Sequence, residues 1–188
     1  MRILAISGSL RNGSLNTRLL REIAEQAPAG VEIELWEGLR AIPPYDADDD
    51  TEPAPEAVRA LRAGIADADG LLFATPEYNS SIPGVLKNAI DWASRPRATT
   101  PLQGKPAAVV GATTGQFGAV WAQADLRKVL GSTGARVVDL ELPVAKADAL
   151  LEQHGSLLGN ELLDDRSAEI LEALVAEIEH DRQLAVAA

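Results

Sequence analysis

Cysteine is absent from all 188 residues of the chain. That excludes disulfides, thiolate metal sites and cysteine nucleophiles, and leaves the redox compartment open. Nowhere does a run of about 18 apolar residues occur, so no membrane-spanning helix is expected. The N-terminus enters the strand-like MRILAIS without a basic segment ahead of an apolar run, so no secretory leader is expected and the cytoplasm is the expected location. His154 and His180 are isolated, and spacing builds no acid–base pair from them; both read as surface residues. Ser7, Ser9 and Ser14 lack the G-x-S-x-G elbow of a serine hydrolase. No internal repeat or low-complexity block is visible.

Basic residues are the minority, 17 against 28 acidic, for a formal net charge of −11. Such a surface repels nucleic acid and anionic lipid, so neither is expected as a partner. The charge is uneven, however. Asp46, Asp48, Asp49, Asp50 and Glu52 crowd one segment, whereas Arg2, Arg11, Arg18 and Arg21 lie near a glycine–serine stretch. The acidic run reads as a solvated loop. Its DADDDTEP lacks the glycine and terminal glutamate of an EF-hand, so no metal site is expected.

What is present is alternation. Apolar runs at 3–6, 31–36, 70–75, 105–113 and 135–143 predict five strands. Helical periodicity predicts helices over 15–27, 56–68, 84–93, 119–132 and 167–184. The helix–strand alternation predicts one α/β domain over 1–182, a doubly wound parallel sheet with helices on both faces, and a frayed 183–188. In such sheets ligands bind beyond the carboxyl ends of the strands, where the strand order switches. With strand order 2-1-3-4-5, the loops after strands one, three and four would line one crevice.

Those three loops carry the unusual residues. GSLRNGSLNTRLL (8–20) joins the first strand to a helix starting near Ser14 or Leu15, whose unpaired N–H groups suit an anion. Ser9, Ser14, Asn16 and Thr17 add hydroxyl and amide groups, and Arg11 adds charge. Gly8 and Gly13 have Walker A spacing with Ser14 following directly, but the lysine is missing; G-x-G-x-x-G fails because position 10 is Leu. That combination suits a terminal monophosphate. A capped helix after a polar turn explains the same residues equally well. TPEYNSSIPG (75–84) is stiffened by Pro76 and Pro83, and offers Tyr78 as a flat apolar face and Asn79 as a two-sided amide. It reads either as a border for a planar polar ring or as a proline-bounded turn. TTGQFG (113–118) has glycines at 115 and 118 that let backbone approach a ligand, with Thr113, Thr114 and Gln116 as polar atoms; a simple turn is its plainer reading.

A single ligand using all three loops would have a monophosphate at one end and a planar polar ring at the other, the shape of flavin mononucleotide. In order and spacing, GSLRNGSLN, PEYNSSIPGVLKNAIDW and TTGQFG resemble the motifs of the NAD(P)H-dependent FMN reductase family, in the branch of bacterial chromate and quinone reductases. The resemblance runs from Met1 to about Leu142, IPPYDAD included, and thins beyond. It implies a flavodoxin-like fold with non-covalently bound FMN. The phosphate would be held by Ser9, Arg11, Ser14, Asn16 and Thr17, and the ring bordered by Pro76, Glu77, Tyr78 and Asn79 with Ser80 nearby. Thr113, Thr114, Gly115 and Gln116 would form the far rim, although a more glycine-rich turn is common where TTGQFGAVWA stands here.

The resemblance further implies hydride transfer from NAD(P)H through the flavin to a small acceptor: free flavin, a quinone, an azo or nitro compound, or chromate. No side-chain acid or base is then required, and Arg11 is a second-role residue that steers an anionic substrate. A homodimer or homotetramer is implied, with GVLKNAIDWAS and its Trp92 at the interface. Two other readings stand beside this one: a flavodoxin-type FMN electron carrier, and a phosphate-binding module without flavin, whose preparation would be colourless.

Overall fold

The computed structural model describes residues 1–187, together with the side chains of 1–184. Five parallel strands lie in the order β2-β1-β3-β4-β5: β1 (Arg2–Ser7), β2 (Glu32–Trp36), β3 (Gly70–Ala74), β4 (Pro106–Ala112) and the short β5 (Arg136–Val137). Register is set by pairs such as Ile6 with both Trp36 and Phe73, and Phe73 with Val109. The sheet order is the one expected, and the fold is flavodoxin-like.

The central strands are apolar on both faces because each face is covered by helices. Leu4, Ile6, Leu71, Phe73, Ala107 and Val109 share one cluster with α2 (Glu56–Asp67), α3 (Gly84–Ala93) and α4 (Val120–Ser132). Ile3, Ala5, Leu72, Ala74, Ala108 and Val110 face the other way, onto α1 (Leu15–Glu25) and α6 (Glu161–Ala187). Alternation along each strand thus sorts the core into two layers. α1 buries Leu19, Leu20 and Ile23 and is started by Ser14, whose hydroxyl accepts the Thr17 N–H at 3.1 Å.

Three departures from the sequence expectations have physical causes. The fifth strand, expected over 135–143, is interrupted: β5 ends at Val137, and Pro143–Val144 forms a separate β6 that pairs with the far half of β4. Between them the side chain of buried Gln123 bonds both the N–H and the carbonyl of Leu142, while Arg127 and Arg166 donate to the carbonyls of Leu140 and Glu141. These side chains take the place of a continuous ladder. Second, α5 (Ala147–His154), closed by Gly155 in the left-handed region, lies where no helix was expected, and α6 begins at Glu161 rather than 167. The expected fraying of 183–188 falls in part outside the described residues.

The third departure concerns Trp92. It is fully buried, its indole N–H donating to the Pro43 carbonyl at 2.9 Å, and so it is an internal residue and not an interface one. Asn88 donates to the same carbonyl at 2.8 Å and accepts the Tyr45 N–H at 2.7 Å. The IPPYDAD segment is thereby bolted to α3. The acidic run beyond it is held by Arg62, which pairs with Asp50 at 3.3 Å.

Candidate functional site

At the carboxyl ends of β1, β3 and β4 the chain leaves the sheet in three neighbouring loops, as the strand order requires. In the first, Gly8 N–H donates to the Ala74 carbonyl at 2.8 Å, which draws the loop against the end of β3. A Cβ at Gly8 would come within 2.8 Å of Leu86 Cδ2 and 3.4 Å of the Ala74 carbonyl oxygen, so any larger residue there requires the Leu86 side chain to shift. The hydroxyls of this loop are used mostly within it. Thr17 donates to Ser7 at 2.8 Å, Ser14 caps α1, and the Ser9 hydroxyl lies 3.4 Å from the Arg11 N–H.

Asn16 is buried and bonds Ala112 twice, donating to its carbonyl and accepting its N–H, both at 2.9 Å. Its amide therefore clamps α1 to the end of β4, the strand from which the third loop departs. What the first loop leaves free is backbone. Among the described residues, the N–H groups of Asn12, Gly13, Leu15 and Asn16 have no protein acceptor. The first turn of α1 holds no acidic residue, and Arg11 is exposed beside it. A cleft of ≈ 230 Å³ opens between this loop and the end of β2, lined in part by Ser9, Arg11, Thr17 and Arg40. Arg40 steadies it by donating to the Leu10 carbonyl at 2.6 Å.

The second loop leaves β3 through buried Thr75 and half-buried Pro76 and folds into a tight turn. Tyr78 and Ser81 exchange backbone hydrogen bonds of 3.0 and 3.2 Å, and Asn79 and Ser80 between them have φ of 52° and 61°. Both N–H groups inside the turn are without protein acceptors among the described residues. Tyr78 is 54% exposed. The Glu77 carboxylate turns to α4, where it accepts the N–H groups of Trp121 and Ala122.

The third loop runs from half-buried Thr113 through exposed Thr114, Gly115 and Gln116 to Phe117. Its base is fixed to the segment before α5. Thr113 receives the Ala147 N–H at 3.0 Å, and the Gly115 carbonyl receives the Lys146 N–H at 2.9 Å. Gly118, at φ +59°, passes so close to Pro143 that a Cβ would meet its backbone at 2.3 Å. Phe117 and Trp121 stand edge to face at 5.0 Å and are 59% and 48% exposed.

The structure thus brings Ser9, Arg11, Ser14, Asn16 and Thr17 together at one end of the crevice. It brings Pro76, Glu77, Tyr78, Asn79, Ser80, Thr113, Thr114, Gly115 and Gln116 together at the other. Sequence reading missed Ser7, Ser81, Asp125 and Lys146, which support these loops; Ser7 alone had a signal, as a hydroxyl at the very end of the first strand. The nearest carboxylate with a shifted titration is Glu22 on α1. Burial pulls it up, but Arg18, Ser156 and the N–H groups of Leu157 and Leu158 outweigh burial and hold it below its ordinary value.

The donor set fits a flavin mononucleotide. An acid-free helix start with free N–H groups and an arginine suits a phosphate dianion. A second group of free N–H donors beside exposed aromatic faces suits a polar heterocycle. Comparison with known proteins agrees. The family model described as NADPH-dependent FMN reductase matches residues 1–149. An NAD(P)H-dependent FMN reductase of Pseudomonas aeruginosa is 43% identical over 173 residues, covering 92% of this chain and 90% of that protein. A quinone reductase of Escherichia coli K12 is 41% identical over 140 residues, 74% of each chain. Among solved structures, the flavoenzyme NAD(P)H:(acceptor) oxidoreductase FerB of Paracoccus denitrificans superposes with a TM-score of 0.83 at 35% identity, over 95% of this chain and 97% of that one.

Proposed function

This chain belongs to the NADPH-dependent FMN reductase family, and on that premise we propose how its residues divide the work of an FMN-dependent NAD(P)H oxidoreductase. FMN, when bound, supplies the hydride-accepting and electron-releasing chemistry. The protein's part is to hold, orient and tune. Ser9, Arg11, Ser14, Asn16 and Thr17 form the phosphate end. The Arg11 guanidinium and the backbone N–H groups of Asn16 and of neighbouring Leu15 are the direct donors, while the Ser14 and Asn16 side chains hold the loop in shape. At the ring end, Pro76, Glu77, Tyr78, Asn79 and Ser80 face Thr113, Thr114, Gly115 and Gln116 across the crevice. The N–H groups of Asn79, Ser80, Thr114 and Gln116, which have no protein acceptor among the described residues, would offer hydrogen bonds to the polar edge of the ring. No side-chain acid or base is assigned, and Arg11 also steers the anionic nicotinamide coenzyme.

The observation that carries this reading is the pairing of two sets of unsatisfied backbone donors at the carboxyl ends of β1, β3 and β4, one of them at an acid-free helix start. A quinone is the acceptor class we favour, supported by the relatives named quinone reductase. Self-association as a homodimer or homotetramer is supported by the apolar side chains exposed around the ring end: Tyr78, Val85, Phe117 and Trp121. Residues 1–182 act as one domain, supported by two apolar clusters sharing one sheet. A cytoplasmic site of action is supported by the use of NAD(P)H. No helix among the described residues is long and apolar enough to cross a membrane.

Anaerobic mixing of the yellow protein with NADPH or NADH, then with a panel of quinones, tests the reading. Rapid bleaching followed by reoxidation on quinone addition is expected. Flavin that stays oxidised with both coenzymes would leave an electron carrier, and a colourless protein that takes up no FMN would leave neither.

A further inference from the structure

Helix α4 begins without a cap of its own. The residue before it, Ala119, sits in the left-handed region at φ 60° and has no side chain with which to accept an N–H. The cap comes instead from Glu77, 44 and 45 residues earlier in the chain, whose Oε2 accepts the N–H of Trp121 at 3.1 Å and that of Ala122 at 3.2 Å. A carboxylate at a helix start satisfies orphan donors and complements the helix dipole. Here it also joins two loops, since Glu77 follows β3 whereas α4 continues the loop after β4.

A second tie lies one turn along the same helix, where the Ser81 hydroxyl donates to the Asp125 carboxylate. The segment 77–81 is therefore fastened to α4 at both ends. Between the fastenings are Asn79 and Ser80, two consecutive non-glycine residues at positive φ. Such a conformation persists only where the surroundings over-determine it. The fastenings supply that constraint.

We propose that Glu77 is a positioning residue of the ring end: its carboxylate seats the Asn79–Ser80 turn on α4, so that the free N–H groups of the turn and those of Thr114 and Gln116 in the third loop stay in one fixed frame. The proposal rests on the assignment of this crevice to FMN. It gives Glu77 a role through α4 and the turn, without direct contact to the ring or part in proton transfer. One oxygen accepts both N–H groups, so the carbonyl oxygen of glutamine can replace it and a methyl group cannot.

The test is titration of flavin-stripped protein with FMN, followed by the visible spectrum and fluorescence of the bound flavin, with melting of the apoprotein as a check on folding. Glu77→Ala is expected to weaken FMN binding about tenfold, the scale of a lost charge-assisted cap, and to move the bound spectrum toward that of free FMN. Glu77→Gln is expected to restore binding to within about twofold of wild type and to restore the spectrum. Wild-type affinity and spectrum in Glu77→Ala overturn the proposal, as does a Glu77→Gln variant that binds no better than Glu77→Ala. Should Glu77→Ala not fold, Ser81→Ala releases the other end of the same turn. Weaker binding with a shifted spectrum then supports the proposal, and a wild-type titration overturns it. Wild-type apoprotein that takes up no FMN overturns the crevice assignment itself, a result distinct from these.

Discussion

The two ends of the crevice are built in different ways. At the phosphate end the loop is an extension of the core: Ser7, Ser14 and Asn16 are buried, and Asn16 bonds the end of β4 directly. At the ring end the loops stand in solvent, with Tyr78 and Phe117 more than half exposed and two residues held at positive φ. The first end is fixed by what lies beneath it, the second by polar ties to a neighbouring helix. A group of fixed shape and charge needs the former. An open face that must admit a coenzyme and then an acceptor needs the latter, since covering it with core would close it.

The comparison is broken most directly at Asn16. Asn16→Ala leaves both the N–H and the carbonyl of buried Ala112 without partners, and urea unfolding of the apoprotein is expected to show a loss of about 2–4 kcal/mol. A smaller loss than that of Ser81→Ala at the ring end would contradict the division between core-built and surface-tied ends. Next in size is Arg11→Ala, expected to weaken FMN binding, or raise KM for NAD(P)H, about tenfold while apoprotein stability stays within about 0.5 kcal/mol. If occupancy and KM both hold, Arg11 serves neither phosphate nor steering.

At the ring end one substitution is expected to act in the opposite direction. Ser80→Gly relieves a non-glycine residue of its φ of 61° and is expected to stabilise the apoprotein by about 0.5–1 kcal/mol, read as a rise of roughly 2 °C in Tm. A fall in Tm would mean that the turn gains more from the serine side chain than it loses in strain.

The smallest effect concerns pH. The Glu22 carboxylate, on the helix that starts from the phosphate end, bonds Arg18, Ser156, Leu157 and Leu158 and is held below its ordinary value of 4.5 despite burial. Its contribution to stability is therefore complete above the unfolded value and is lost as pH falls through the lower folded value. Glu22→Gln should be less stable than wild type at neutral pH, with the gap closing on acidification below 4.5. Chemical unfolding across that range checks the sign, and a gap that widens toward acid would reverse it.

Much of this was legible in the sequence. The span of α3 agrees with its predicted bounds, because proline stands before it, apolar residues recur at helical spacing within it, and a loop with Pro96 follows. The three loops were found because their composition departs from that of their surroundings. The roles within them were less legible. Asn16 reads as a ligand donor in sequence, yet its amide spans 96 residues to Ala112. Glu77 reads as part of a ring border, yet its carboxylate serves a helix 44 residues away. The α5 helix carried a faint local signal in Ala147, Leu150, Leu151 and Gly155, too short for periodicity to decide.

By itself the sequence determined the alternation of strands and helices, the two-faced burial of the central strands and the polar character of the three loops. All of these follow from the order of apolar, small and turn-forming residues along a few positions of chain. Only the tertiary structure decided which polar side chains are spent within the protein and which donors stay free. It decided too where the fifth strand breaks, and that Trp92 is an internal residue. The physical reason is common to these. A hydrogen-bonding side chain takes whichever partner the fold brings within about 3 Å, and that partner can lie anywhere in the chain.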